Sequence, residues 1–442
     1  MTVGDIRIRH ARLIVVVAAL AASSAILWLS RSYTFYFDEW SFILTAPDWT
    51  WVTYLEPHNE HPSMLLRIIY AGLLDTVGLR SYLPYMLVLM ALHLANVALL
   101  FEVVRRRAGD LIAVAAGMGL LVLGMGWEDI LWAFQMAWLA SSALGLAALL
   151  ALQPRSTPAR MAVAAGALTA SLMFSGIGLV FAIVAALLLL LEPGRRKDLV
   201  WLMPTGVALL AWYVAFGRLG THPNPQPTAA NVFLVPQYEL WGLSQSAAGL
   251  IGENGWIGAP ILGMAAVALA LTWRRKRPDA VALSLSVGLV AFYAITGLTR
   301  AQLGYDQSGS SRYEYIGAVF WLILLADAAR AVPWRGTWRP AILACLFLMC
   351  FNSGVLLFSF ATAKVVVMQR QVADLQALAV ERNDPCLKPG GAVDPLVMPV
   401  ETSPALYYRA IDRYGDPSAG IPVTDQVDFA RARLNLVSSG CR

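Results

Sequence analysis

An all-α, polytopic membrane protein is the fold class this sequence predicts, and three observations carry that reading. Hydrophobic residues make up 58% of the chain and charged residues only 14%, with a mean hydropathy of +0.61, whereas a soluble globular chain is roughly 45–50% apolar. The apolar residues gather in runs near the length a bilayer core demands of a helix, roughly 20 residues. The Lys and Arg fall in short clusters between those runs, the arrangement that sets topology. The net charge of +5 therefore points to membrane orientation and not to nucleic acid, for which the chain carries no motif.

The elements follow in order, as about eleven spans. Arg7, Arg9 and Arg12 precede an apolar run from Leu13 to Leu29. No small-residue cleavage site stands before Tyr33, so this run reads as an uncleaved first span leaving a cytoplasmic N-terminus. Residues 33–79 then lie outside, and Pro62 to Leu79, with Arg67, Asp75 and Arg80 on an otherwise apolar segment, reads as an interfacial helix whose first turn suits Pro62. Tyr82 to Phe101 returns inward to Arg105, Arg106 and Arg107. Leu111 to Gly124 goes out to the loop Gly126–Trp138, and Met136 to Leu152 comes back to Arg155 and Arg160.

Met161 to Leu191 is 31 residues long with basic residues at both ends, which predicts two short spans turning at Phe174-Ser175-Gly176. Lipid cannot satisfy the backbone of that turn, so it must be buried in protein or line a cavity. Val200–Phe216, Ile257–Trp273, Ala280–Leu298, Tyr315–Leu325 and Ala341–Phe360 complete the set, with residues 217–256 expected as a long outer loop and 299–315 as a polar one. Dense basic clusters, among them Arg274 to Arg277, then all fall on the side of the N-terminus.

These runs divide the chain into a membrane domain, 1–361, and a small extracytoplasmic C-terminal domain, 362–442, whose roughly 80 residues allow a modest core. Cys345 and Cys350 sit in the last span as packing residues, while Cys386 and Cys441 share the oxidising side and are expected to pair.

Residues 33–70 hold the chemistry: Asp38, Glu39, Glu56, His58, Glu60, His61 and Arg67 lie between two apolar segments. Ionisable groups at the edge of a hydrocarbon slab are costly and usually face a water-filled cavity. Asp38-Glu39 follows the aromatic run 33–37, and either caps a loop or supplies a general base, for which Asp38 is the choice. His58-Asn59-Glu60-His61 has three readings: substrate hydrogen bonding, a divalent metal, or interfacial polarity; its spacing is not that of an established metal motif. Glu128 and Asp129, seated by Trp127 and Trp132, line the site or solubilise their loop. Arg67, Arg300 and Arg312 lie outside, against the positive-inside tendency, and either pair with acids or grip a phosphate, to which a guanidinium fork is well matched.

An acidic pair after the first span, a long outer loop with an interfacial helix, more than ten spans and a soluble tail together resemble the GT-C superfamily of membrane glycosyltransferases. The strings FDEWSF, EPHNEHPS, WEDILWAFQ and SRYEY also resemble bacterial membrane proteins grouped near that superfamily. The likeness covers Leu13 to Phe360 and not the tail. It implies a polyprenyl-phosphate sugar donor; a glycan, lipid or protein acceptor; and a place in the bacterial inner membrane. It also implies that Asp38 and Glu39 are catalytic. A second-loop acid of the family would map onto Glu128 or Asp129, and with the residues read above, His58, Glu60, His61, Arg67, Glu128, Asp129, Arg300, Arg312 and Tyr313 are the expected substrate-binding set. HNEH lies outside the general superfamily pattern.

The implied reaction is an inverting displacement in which a phosphate leaves without a general acid. A transporter or flippase of lipid-linked sugars would also have many spans, but carriers place their charges near the bilayer centre, and here they gather at the outer ends. A non-catalytic partner of another glycosyltransferase would keep the fold without needing the acids.

Overall fold

The structure, a computed structural model, describes residues 1–152, 156–219, 227–388, 390–399, 402–421 and 425–438. Helix α1 (Ala11–Leu29) leads into the short helices α2 (Asp38–Thr45) and α3 (Trp51–Leu55), then a hairpin of β1 (Pro57–His58) and β2 (His61–Pro62), then α4 (Met64–Thr76). The bundle continues through α5 (Leu83–Ala108), α6 (Asp110–Leu121), α7 (Trp127–Leu131), α8 (Met136–Ala151), α9 (Pro158–Phe174), α10 (Ile177–Leu191) and α11 (Met203–Ala215). It closes with α12 (Asn231–Gly249), α13 (Gly258–Arg275), α14 (Ala280–Arg300), α15 (Ser311–Ala329) and α16 (Trp338–Glu381), and α17 (Pro404–Tyr414) and α18 (Gln426–Leu436) form the tail.

Among the described residues, seven segments, those of α1, α5, α8, α11, α13, α14 and α16, are long and apolar enough to cross a membrane. Helix α6 and the 124–131 segment, bent by 46°, pass the same test only when taken together, as one broken span or a re-entrant turn. The bend has a packing cause. A Cβ on Gly124 would lie 2.4 Å from the Ser353 carbonyl oxygen of α16, so only glycine lets the two backbones approach there. The freed Gly124 N–H donates to Ser353 Oγ at 2.9 Å. Helices α9 and α10 are apolar but shorter, and they meet at Ser175-Gly176, where the sequence places a turn. Helix α15 is buried along most of its length and takes its place inside the bundle beside α5, α12 and α14.

Three features differ from the sequence reading. Pro62 pairs with Pro57 in the hairpin, and α4 starts two residues later, because the His58–His61 turn must close before the helix begins. The stretch 217–256 is not an outer loop throughout: α12 packs its Tyr238 and Ser246 sides against α14 and α15. Its mixed Gln, Glu, Ser and Gly content had hidden a 19-residue helix. The expected junction at 361/362 falls inside α16, a continuous helix of 44 residues that carries the tail away from the bundle.

The tail folds back on the first loop. Arg409 pairs with Asp48 at 2.6 Å, the Leu79 N–H donates to the Tyr414 carbonyl at 2.9 Å, and Trp40 packs on Tyr407 at 5.6 Å. Cys345 and Cys350 are free thiols. Cys386 is disulfide-bonded, and Cys441, its expected partner, lies outside the described residues.

Candidate active site

Asp38 owes its position to strain and to a buried carboxyl. Phe35 is inserted edge-on between Tyr85 at 4.9 Å and Tyr82 at 5.1 Å, which anchors the aromatic run. Phe37, the residue before α2, has φ 47°, a conformation that costs a bulky residue of order 1–3 kcal/mol and persists only when its surroundings enforce it. They do: the Phe37 N–H donates to the Val397 carbonyl at 2.9 Å. Glu39, one residue past the start of α2, accepts from the Tyr36 N–H at 2.9 Å, the Tyr70 hydroxyl at 2.8 Å and the Tyr82 hydroxyl at 3.0 Å. The chain therefore turns sharply and aims Asp38 at a cavity.

Glu39, expected beside Asp38 as a catalytic acid, is fully buried and is not among the residues that line that cavity; its contacts hold the turn before α2. Burial raises its carboxyl to about 7, against the pull of its tyrosine and backbone donors. A raised folded value means that the folded state holds the proton more tightly than the unfolded one. The associated stability is complete below about 4.5, the ordinary value, and is lost as pH rises through about 7. Thermal unfolding in detergent is expected to show wild-type stability falling from pH 5 to pH 8, by on the order of 3 kcal/mol, and Glu39→Gln flattening that slope. Parallel profiles for the two proteins would contradict this.

The HNEH string forms the hairpin tip, with His58 opposite His61 and Asn59 at φ 52°. Two-residue hairpin turns demand positive φ, which Asn tolerates. Arg67 braces the hairpin base: its guanidinium donates to the carbonyls of Glu56 and Pro57 and lies over Phe42 at 5.1 Å. His58 packs edge-on against Phe42 and Phe134 at 5.1 and 5.3 Å. His61 sits against Trp138 at 6.2 Å, and a Cβ on Gly176 would come within 2.9 Å of its Nδ1, so the α9–α10 turn is shaped around it. Burial, aided by nearby arginines, depresses His58 to about 3 and His61 to about 4. Both are therefore neutral hydrogen-bonding groups near neutral pH. Glu60 is paired with Arg300 at 2.6 Å. Among the described residues, no three His, Cys, Asp or Glu side chains are gathered in one group.

The cavity, about 700 Å³, brings Asp38, Glu56, His58, Arg67, Glu128, Arg300 and Arg312 onto one wall system, and Pro399, Thr402 and Leu406 of the tail also line it. A void of about 50 Å³ shares Asp38, His58, Arg300 and Arg312 with it and adds His61 and Tyr313. Beyond His61 lies an apolar groove of about 400 Å³ between α9, α10, α11 and α14, lined by Leu172, Val180, Leu209 and Ile295. Tyr313 faces the small void, with its ring against Trp138 at 5.4 Å. Glu128 reaches the cavity, its carboxylate accepting the Arg312 N–H at 3.3 Å. Asp129 is fully buried off the cavity, and its oxygens have no hydrogen-bond partner among the described residues.

Several polar atoms of cavity-lining residues are buried without a protein partner among the described residues: His58 Nε2, Asn59 Oδ1, Arg67 Nε, Trp132 Nε1 and Thr402 Oγ1. Each such atom costs about 1–3 kcal/mol unless a ligand or water meets it.

Sequence reasoning missed Tyr36, Trp132 and Thr402 on the cavity and Lys364 behind it. Lys364 is the single charged residue between Arg339 and Arg370, which was a signal. Its Nζ lies 4.3 Å over the Tyr36 ring and 5.6 Å from Trp127 and Trp132. Burial, with the charges of Glu128 and Asp38, pushes the Tyr36 phenol up.

No protein-family model matches the chain, and no curated protein is similar to it. Among solved structures, ArnT from Cupriavidus metallidurans bound to undecaprenyl phosphate is similar with a TM-score of 0.57 at 12% identity, over 90% of this chain and 84% of that one. ArnT from the same organism in the apo state is similar with a TM-score of 0.58 at 13% identity, over 89% and 84%. ArnT is a GT-C glycosyltransferase, so the fold is the one the sequence resemblance implied. At this identity the likeness is one of fold.

Proposed function

We propose that the protein is a membrane glycosyltransferase that moves a sugar from a polyprenyl-phosphate donor to a hydroxyl-bearing acceptor, a cell-envelope glycan, lipid or protein. One observation carries the reading: a cavity holding a carboxylate, guanidinium groups and unpartnered hydrogen-bonding atoms lies against an apolar groove. A sugar fits the first, a polyprenyl chain the second, and a phosphate the arginine-lined junction between them. The ArnT structure with undecaprenyl phosphate supports a lipid of this class. The site opens on the outer face if the basic clusters are cytoplasmic.

In this reading Asp38 takes the proton of the acceptor hydroxyl as that oxygen forms its bond to the anomeric carbon. The bond from that carbon to the phosphate oxygen breaks, the configuration inverts, and the phosphate departs with its electron pair. Arg312 and Arg300 meet the charge growing on it, and no proton need be given to a leaving group of this kind. His58, Asn59 and Trp132 hold sugar hydroxyls. Pro399, Thr402 and Leu406 of the tail form part of the wall around the acceptor.

The test is incubation of the purified protein, with membrane acceptor fractions, with a panel of radiolabelled polyprenyl-phosphate sugars. Label is expected to pass from one of them to an acceptor. Label that stays on the lipid but crosses a vesicle membrane would instead establish a transporter. The groove makes a separate prediction. A Cβ on Gly206 meets no atom within 4 Å, so Gly206→Phe is tolerated by the fold and fills part of the groove. The KM for a long-chain donor is expected to rise about tenfold or more, in line with several buried methylenes losing their contacts, while a short-chain donor is used as before. Equal effects on both donors would remove the groove from the chain's path.

A further inference from the structure

At the end of the bundle opposite Asp38, a cavity of about 740 Å³ lies between the end of α13, the 276–279 turn, the end of α15 and Trp338 at the start of α16. We propose that it binds an anionic phospholipid, with the phosphate among Arg275, Lys276, Arg277 and Arg330 and the acyl chains along Leu271 and Trp338.

Charge is the first argument. The two acids on the cavity wall, Asp279 and Asp327, are both held by Arg107 of α5, at 3.2 and 2.5 Å. The four cations of the wall are in no ion pair among the described residues. A concave wall with several unpaired cations draws a phosphate more strongly than the same charges scattered over a surface, and basic pockets between membrane helices suit lipid headgroups.

Shape is the second. The 330–334 segment is a preformed wall, because the N-terminal segment is stitched onto it: the Val3 N–H donates to the Val332 carbonyl at 2.9 Å and the Trp334 N–H to the Met1 carbonyl at 3.1 Å. The remaining wall is apolar, and Leu271 and Trp338 are 49% and 52% exposed. They run into the exposed Val267 of α13 and Leu343 of α16, surfaces that face lipid in a spanning helix. A soluble phosphate has no use for such a wall, whereas a diacyl lipid does. Topology alone asks for positive charge at this end but not for a cavity.

Native mass spectrometry of the delipidated full chain, with added phosphatidylglycerol or phosphatidylcholine, tests the assignment. Wild type is expected to retain the anionic lipid and not the zwitterionic one. R275Q/K276Q/R277Q is expected to weaken retention by about fivefold for each cation lost. R7Q/R9Q, at exposed basic residues before α1 that do not line this cavity, should retain the lipid as wild type does. Equal retention of the two lipids, an equal loss in the R7Q/R9Q protein, or displacement by excess inorganic phosphate would overturn the proposal. Should the triple variant fail to fold, the two-lipid comparison on wild type decides.

Discussion

Asp38→Asn is expected to lose transfer by roughly 10²–10⁴-fold, the share a positioned base contributes, with little change in the yield of folded protein. The argument starts from placement. The Phe37 backbone is held at φ 47°, Glu39 is buried to fix the turn, and Asp38 is the carboxylate of the pair that reaches the cavity. Strain of that size at the border of a cavity is more easily explained by what it orients than by folding. Asn keeps the volume and most hydrogen bonds, so the substitution removes mainly the capacity to accept a proton. His58→Ala and His61→Ala should cost less, since both rings are neutral near pH 7 by burial and act by hydrogen bonding. Turnover by single-turnover assay, with Glu128→Gln alongside, separates the candidates. Near wild-type turnover in Asp38→Asn with loss in Glu128→Gln would move the base to Glu128, which lines the cavity with Asp38 and Glu56.

What the sequence made legible was set by local signals. Apolar runs bounded by basic clusters located the helices, and Ser175-Gly176 marked the turn between α9 and α10. Unusual polarity between apolar segments marked residues 38–67, of which Asp38, Glu56, His58, Asn59 and Arg67 line the candidate cavity. What stayed illegible depended on contacts across distance. The difference between Asp38 and Glu39 rests on Tyr70 and Tyr82, which are 31 and 43 positions from Glu39 and look like any tyrosine in an apolar run. The tail's place as a cavity wall depends on α16 running on past its apolar portion and on α17 packing over α2. Neither leaves a mark in periodicity. Arg67 looked like a phosphate ligand by its address, yet two carbonyls of the hairpin already occupy its guanidinium.

That last point ranks the arginines, and Arg312→Gln is the second large effect expected. Arg67 is committed to the carbonyls of Glu56 and Pro57, and Arg300 to Glu60 at 2.6 Å. Arg312, in the first turn of α15, lines both the main cavity and the small void that leads toward the apolar groove, the place where a lipid phosphate would leave the sugar. Negative charge on the leaving oxygen grows as the glycosidic bond breaks, so a guanidinium there stabilises the transition state more than the bound donor. Removing such a group should lower kcat by roughly 10²–10³-fold, as loss of one oxyanion donor does elsewhere, with a smaller rise in donor KM. Arg312→Lys should recover part of the rate, since the charge returns without the bidentate fork. Arg67→Gln should instead lower thermal stability, because the hairpin base would lose its brace. Rapid-quench measurement of the chemical step decides the matter: an Arg312→Gln protein with unchanged kcat and a raised KM would place this residue in donor binding and leave the charge on the departing phosphate to Arg300.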